Sequence, residues 1–414
     1  MGRTIHVIGA GLAGLSAAVR LSGAGEKVVV HEAANMAGGR CRSYHDPAVD
    51  MVIDNGNHLL LSGNDAALAY ADLIGARDRL VGPAKAEFRF FDLATGEGWT
   101  LRIGDGFLPW WITDRRRRVP GTAAVEYLRL ARLLWVGSDV SLNKVIACAG
   151  PLYDRLVQPV LRAALNVDPL EGSAKLASAV VRATLAKGGK ACRPLIARGG
   201  LADALIDPAL AYLQANGAHL HLGHRLHAIR PAGARVGALD FREDEIKLET
   251  GDAVILAVPP PVATSLVPNL RAPAEFRAIV NAHFRVEPPP QLAPIVGVLN
   301  GTAEWIFAFP GRLSVTVSAA DHLLQVPRDE LARTIWDEVA SVASLSRAIP
   351  PWQIVRERRA TFAATPEQVA KRPPAETLWR NLFLAGDWTD TRLPATIEGA
   401  VRSGELAARL AAAV

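Results

Sequence analysis

Cysteine is scarce. The three in 414 residues, Cys41, Cys148 and Cys192, stand far apart and form no Cys-x-x-Cys pair, which argues against a disulfide framework and against a zinc site, and fits a reduced cytosolic setting. Charge of one sign is also in short supply: 46 basic against 41 acidic residues leave a net charge of +5, too balanced for a nucleic-acid partner. No apolar run approaches the roughly 18 residues needed to span a bilayer; residues 253–258 are apolar but stop at Pro259-Pro260-Pro261. The first apolar run is a strand of the unit described next, so no secretory leader is expected. Internal repeats and low-complexity segments are absent. What the chain does have is apolar mass, half of its residues, enough at this length for two or three domains with sizeable cores. One basic run, residues 115–118 (four arginines), follows Phe107-Leu108-Pro109-Trp110-Trp111-Ile112. An apolar, aromatic patch beside four cations suits an anionic membrane surface, so a protein lying on a membrane is expected.

The chain is organised around residues 4–32. Ile5-His6-Val7-Ile8 reads as a strand, Gly9-Ala10-Gly11-Leu12-Ala13-Gly14 as a glycine turn entering a helix, and Lys27-Val28-Val29-Val30-His31 as a second strand closed by Glu32 and Ala33. Gly9 makes the tight turn, Gly11 lets backbone approach a pyrophosphate, and Gly14 lets helix and strand pack closely. The helix start at Leu12 and Ala13 points N–H groups and a positive dipole end at phosphate, and Glu32 can accept hydrogen bonds from an adenosine ribose. The unit predicts a bound dinucleotide without choosing between NAD and FAD. Gly38-Gly39-Arg40 follows, a sharp turn that brings a cation beside the cofactor. Asp54-Asn55-Gly56-Asn57-His58 then forms a second polar turn.

Gly-x-Gly-x-x-Gly, an acid and Gly-Gly-Arg in this order resemble the opening of the FAD-dependent amine oxidase and phytoene desaturase superfamily, whose members close the same site from their C-terminus. A matching second half is present here. Residues 381–385 read as a buried strand ending in Gly386-Asp387, and Thr396-Ile397-Glu398-Gly399-Ala400 starts a helix. The resemblance implies FAD, with Asp387 on the ribityl hydroxyls, the helix started by Gly399-Ala400 turning its N–H groups to the flavin and pyrophosphate, Thr396, Ile397, Asn55, Gly56, Asn57 and His58 beside the cofactor, and the adenine against the backbone of Leu226. The expected fold is α/β (α+β overall): a Rossmann-like FAD-binding domain from 1–65, 196–264 and 371–414, with a mixed sheet-and-helix substrate domain inserted as 66–195 and 265–370. Helices are expected over 125–134, 331–339 and from about 201 to Asn216-Gly217, and strands over 219–222, 224–229, 253–258 and 313–318. His219, His221, His224 and His227 suggest a metal cluster at first sight, but their spacing fits exposed strand faces around a turn, and no metal is expected.

The inserted region is apolar, with few paired charges to clamp a polar substrate, so a long hydrocarbon is expected. Asp54-Asn55-Gly56-Asn57-His58, Ala164-Leu165-Asn166 with Ser173-Ala174, Asn281-Ala282-His283-Phe284, and Trp305-Ile306-Phe307 ahead of Ser318-Ala319-Ala320 resemble the hydroxysqualene dehydroxylases, or squalene-associated FAD-dependent desaturases. That resemblance implies a bacterial enzyme of hopanoid precursor synthesis, peripheral on the inner face of the cytoplasmic membrane, that reduces hydroxysqualene to squalene. Departure of an allylic hydroxyl as water needs a proton donor and a dry cavity. His58, His283 and Glu304 are the candidate donors, and Trp305 and Phe307 could stabilise the cation through their π-faces. An isoprenoid or carotenoid desaturase running in the opposite direction is the nearest rival. An amine oxidase ranks lower, because Trp388 is the only aromatic residue close to Asp387, and a non-catalytic prenyl-lipid carrier would have no need of the second half-site.

Overall fold

The computed structural model describes residues 3–106 and 108–414; Phe107 of the aromatic patch lies outside the described residues. The glycine turn joins a strand, β1 (Thr4–Ile8), to a helix, α1 (Leu12–Gly23), which leads to a second strand, β2 (Lys27–His31). β1 is the centre of a five-stranded sheet in the order His219–His221, β2, β1, Ala253–Leu256, Leu382–Leu384. Every pairing is parallel, with Ile8 opposite both His31 and Leu256, and Leu256 opposite Leu384. Parallel strands covered on both faces read as unbroken apolar runs, and Ala253-Val254-Ile255-Leu256 and Leu382-Phe383-Leu384 are buried throughout. Val28, Val30, Ile5 and Val7 face α1 and the C-terminal helix Ile397–Ala412. Those two helices touch through glycine: a Cβ on Gly404 would stand 2.1 Å from the Ala13 carbonyl oxygen.

A seven-stranded sheet is built from Glu87–Arg102 and from the chain between Phe276 and Phe362, in the order Trp352–Phe362, Phe276–Arg285, Arg312–Val317, Trp305–Phe309, Ile295–Leu299, Glu87–Asp92, Glu97–Arg102. Alternation along these strands gives the sheet two chemically different faces. Val280, Ala282, Phe284, Leu313, Val315 and Ile306 pack on the helix Arg328–Ala343 through Leu331, Ile335, Trp336 and Val339. The opposite face runs from polar to aromatic as the strands are crossed: Asn281 and His283, then their partners Thr316 and Ser314, then Trp305 and Phe307, then Phe90 beyond Gly297.

The expected helix at 331–339 is part of Arg328–Ala343, and the strand at 313–318 is Arg312–Val317. Residues 224–227 differ from expectation. They run without strand pairing, and the strand begins at Ala228, because the N–H of His224 donates to the Glu32 carbonyl at 2.8 Å and that of His227 to the Asp240 carbonyl at 2.8 Å. The expected helix at 125–134 is α-helical only over Ala124–Arg129. It tightens to a 3₁₀ turn over Leu130–Trp135, which carries Leu133 into the core. The helix expected from 201 opens as a widened π turn, Ala202–Ile206, before Asp207–Ala215. A second such turn, Tyr153–Val157, precedes Gln158–Leu165. Each widened turn is followed by a proline, Pro208 or Pro159, whose ring and missing N–H do not fit a continuous α-helix.

Candidate active site

The glycine turn is shaped by backbone and by what is missing from it. Gly9 holds φ +107°, and a Cβ there would lie 2.4 Å from the Ala257 carbonyl oxygen; on Gly14 it would lie 1.9 Å from the Gly9 carbonyl oxygen. Gly11 differs, since a Cβ there would meet no protein atom within 4 Å. α1 starts at that glycine with no side-chain cap and no acidic residue in its first turn, so its first N–H groups are left for an outside acceptor. Glu32 at the tip of β2 ties the turn together, accepting from the N–H of Ala10 at 2.7 Å and of Ala34 at 2.8 Å. Gly38 pairs with Gly11 in a parallel bridge, and its N–H donates to the Ala10 carbonyl. Leu226 is buried in the unpaired stretch between His224 and His227, next to the end of β2.

From Gly38 and Gly39, at φ +105° and +54°, the chain throws Arg40 across the molecule. Its Nη2 donates to Asp387 Oδ1 at 2.7 Å and its Nη1 to the Ala360 carbonyl at 2.6 Å. The two half-sites that the sequence separates by 347 residues are therefore joined by one ion pair. The far half is held by side chains rather than by close backbone packing. Ser403 Oγ accepts from the Gly386 N–H at 2.9 Å, and Trp388 Nε1 donates to the Val258 carbonyl at 2.9 Å. Arg372, buried over the Phe362 ring, donates to the carbonyls of Asp387, Thr389 and Leu393 and to Thr391 Oγ1. Burial lowers its pKa to about 10.

Only part of the C-terminal helix start is open. The N–H of Gly399 donates to Thr396 Oγ1 at 3.1 Å, and that of Ala400 to the Thr396 carbonyl at 2.9 Å, so both are engaged within the helix. Thr396 is the N-cap, and a capping hydroxyl satisfies the N–H three residues on. The N–H groups at the first two helical positions, Ile397 and Glu398, are the ones left without an intrahelical acceptor.

The polar end of the second sheet reaches this junction through the turn at 54–58. Asn57 Nδ2 donates to Thr316 Oγ1 at 3.1 Å, Thr316 Oγ1 to Asn281 Oδ1 at 2.8 Å, and Asn281 Nδ2 to the Asn55 carbonyl at 3.4 Å. Asn55 Nδ2 meets Glu357 at 3.3 Å, and a Cβ on Gly56 would stand 3.2 Å from Asn281 Nδ2. The three candidate proton donors are not brought together. His58 is half-buried at this junction; burial and the Arg40 cation lower its pKa to about 4, while Asp54 and Asp387 pull the other way. His283 is fully buried in the sheet, its Nδ1 2.9 Å from Ser314 Oγ, and burial with the nearby Arg312 cation brings it to about 3. Glu304 lies elsewhere, in a polar groove of about 630 Å³ with Asp92, Arg155 and Asn300. It is paired with Arg162 at 2.8 Å and accepts from the Ser318 N–H at 2.7 Å. Burial raises its pKa and Arg162 offsets the rise. Trp305 and Phe307 lie on the aromatic part of the same face, both buried, Trp305 edge-on to Phe90.

The histidines make a different cluster from the one the sequence suggested. His6 Nδ1 is 3.1 Å from His31 Nε2, His31 Nδ1 is 2.9 Å from His224 Nδ1, and His224 Nε2 is 3.1 Å from Asp244. These contacts are hydrogen bonds between rings, and no group of three or more metal-ligating side chains suited to an ion occurs among the described residues.

The family model for flavin containing amine oxidoreductases matches residues 12–412. The chain belongs to that family. Within it, the chain is 59% identical over 411 residues to the hydroxysqualene dehydroxylase of Rhodopseudomonas palustris, covering 99% of this chain and 98% of the relative. It is 54% identical over 411 residues to that of Sinorhizobium fredii, covering 99% of each. Among solved structures, wild-type putrescine oxidase superposes with a TM-score of 0.72 at 17% identity over the whole of both chains, a likeness of fold.

This family member is a flavin-dependent oxidoreductase, and its residues fit the cofactor. An uncapped helix start beside an unobstructed glycine suits a diphosphate, and Glu32 keeps lone pairs for a ribose beyond the two it uses. Several residues that build the candidate site make long-range contacts that no motif indicates. Glu398 is buried and accepts from the N–H groups of Ala66 and Ala67, capping the helix Asp65–Leu73 from a distance of 331 residues. Asp54 accepts from the Leu201 N–H at 2.7 Å and pairs with Arg312 at 3.3 Å. Arg372 stands in no recognisable motif. Only the spacing of Glu398 and Arg402, an i, i+4 pair bonded at 2.7 Å, was open to pattern reading.

Proposed function

We propose that this flavoenzyme binds FAD and reduces hydroxysqualene to squalene in a bacterial route to hopanoids. The observation that carries the reading is the 59% identity to a hydroxysqualene dehydroxylase over nearly the whole of both chains. The graded sheet face supports it: a hydrocarbon bearing one hydroxyl asks for one polar locus in an otherwise apolar and aromatic site. Residues 1–65, 196–264 and 371–414 would form the FAD-binding part, and 66–195 and 265–370 the substrate part.

The C–O bond breaks as the hydroxyl leaves with a proton as water, and a C–H bond forms at the resulting allylic cation. Reduced FAD, when bound, supplies the hydride. The chain's part is to hold the dinucleotide on α1 and Glu32, to fix the two halves of the site through Arg40 and Asp387, and to keep water from the cation with the aromatic face of Trp305 and Phe307. His58 is the donor candidate that stands at the Arg40–Asp387 junction. With its pKa near 4 it is neutral at pH 7, so it donates an N–H hydrogen bond to the leaving oxygen and passes that proton on only as another, taken from water, enters its second ring nitrogen. His283, locked between strands, and Glu304, held by Arg162, are less suited to the role.

The test is anaerobic incubation of purified protein with hydroxysqualene and chemically reduced FAD, with products identified by mass. Squalene is expected. A desaturase would return none, and a protein that stays colourless after reconstitution with FAD would support a carrier instead. His58→Gln should stay yellow and lose at least about 100-fold in turnover, the usual scale of a lost acid catalyst; near-normal turnover would remove His58 from the mechanism.

A further inference from the structure

One stretch of surface is too apolar for water. The segment Ala124–Trp135 packs inward through Tyr127 and Leu133, with Tyr127 edge-on to the buried Trp111 at 5.4 Å and its hydroxyl accepting from the Val119 N–H at 2.9 Å. Val125, Leu128 and Arg129 on the α-helical turn and Arg132 and Trp135 on the 3₁₀ turn that follows are all exposed. Trp135 is 76% exposed and Leu128 57%. Next to it, across the Trp111–Tyr127 contact, Trp110 is 72% exposed and Leu108 56%. A water-facing helix side is ordinarily Glu, Lys and Gln; here large apolar side chains alternate with arginines.

The neighbouring run of four arginines is not the uniform cationic patch its sequence suggests. Arg118 donates to the Ile112 carbonyl at 2.8 Å and Arg117 is half-buried, while Arg115 and Arg116 face solvent, Arg116 beside Asp114 at 3.4 Å. The cations that matter are therefore Arg115 and Arg116, close in sequence to Trp110, together with Arg129 and Arg132, which lie on the same segment as Leu128 and Trp135.

We infer that the face formed by Trp110, Leu128 and Trp135 with Arg129 and Arg132 docks on an anionic lipid bilayer, the indoles at the headgroup level and the guanidinium groups on lipid phosphates. Trp favours the membrane–water interface because its ring is apolar and its N–H polar, and arginine can bury its stem in the same layer while its head stays at the phosphates. Charge selects this occupant over a second copy of the chain, since two such faces would bring four arginines against four. No helix among the described residues is long and apolar enough to cross a membrane, so the docking is from one side. The inference stands apart from the reaction proposed above.

The test is co-sedimentation of the FAD-loaded protein with vesicles of phosphatidylcholine alone and of phosphatidylcholine mixed with phosphatidylglycerol. The protein should pellet with the mixed vesicles and be released by salt. Trp110→Ala with Trp135→Ala should abolish pelleting, and Arg129→Gln with Arg132→Gln should weaken it by about 30-fold, close to fivefold for each cation near an anionic surface. Both variants should keep their flavin and their turnover of detergent-dispersed substrate, which excludes misfolding and separates this outcome from failure of the proposed reaction. Absence of vesicle binding by the unaltered protein would overturn the inference. So would a dimer that the tryptophan variant converts to monomer, since the face would then bind protein.

Discussion

The two halves of the candidate flavin site are made in opposite ways. Around Gly9, Gly11 and Gly14 the geometry comes from small residues and backbone: a Cβ at either outer glycine would stand within 2.4 Å of a carbonyl oxygen, and helix N–H groups are left uncovered for phosphate. Around Gly386 and Asp387 the backbone is an irregular loop held by Ser403, Thr389 and above all Arg372. The first half is set by close backbone contacts at Gly9 and Gly14. The second depends on side-chain hydrogen bonds. A site assembled this way should tolerate substitution very differently at its two ends.

The sharpest challenge to that contrast is Gly14→Val. Its side chain has no room beside the Gly9 carbonyl, so flavin binding should be lost together with about 3 kcal/mol or more of stability, read from flavin absorbance and urea unfolding. A yellow, stable variant would mean that the close approach is not needed. Next in size is Arg372→Met, which leaves several loop carbonyls without a donor. A loss of about 2–4 kcal/mol is expected, with weaker flavin retention but an intact glycine turn.

Acid should act through the histidines that burial keeps neutral, His6 and His31 in the parallel sheet as well as His58 and His283. Burial lowers His6 to about 4, and burial with the neighbouring His6 and His224 lowers His31 to about 3, from 6.5. Below pH 6.5 the unfolded chain binds protons that these two rings refuse, so the stability present above that pH is lost as pH falls toward 4, at about 1.4 kcal/mol per pH unit per group. Urea midpoints at pH 7 and pH 5 should differ accordingly, and His6→Gln should flatten the dependence; equal midpoints would count against the buried neutral chain. Smallest is Thr396→Ala, which removes one N-cap and should cost about 1 kcal/mol while leaving the flavin bound.

This asymmetry also governed what could be read from the chain. The β1, α1, β2 unit is contiguous, and each of its glycines has a local steric reason, so its geometry follows from a stretch of about thirty residues. The Gly386-Asp387 motif is equally visible. In the helix that follows it, pattern alone does not show that Thr396 takes up the N–H groups of Gly399 and Ala400 and leaves those of Ile397 and Glu398. The expected helix at 331–339 and strand at 313–318 were legible from period alone, whereas the π turns before Pro159 and Pro208 and the unpaired stretch at 224–227 depend on contacts elsewhere in the fold. The histidines illustrate the limit: His219, His221, His224 and His227 are near in sequence, yet His224 bonds to His31 and through it to His6, because parallel strands bring together residues that the chain keeps far apart.

By itself, then, the sequence determined the strand, glycine turn and helix at the start, the buried strand ending in Gly386-Asp387 at the far end and an apolar region between them, since these follow from local sterics and periodicity. The tertiary structure alone decided that Arg40 meets Asp387, that Glu398 caps a helix some 330 residues away, that Asn57, Thr316 and Asn281 share one network, and that Glu304 sits apart with Arg162. The reason is physical. A hydrogen bond or ion pair between distant segments depends on where three-dimensional packing delivers each side chain, and a sequence pattern records only which faces are buried.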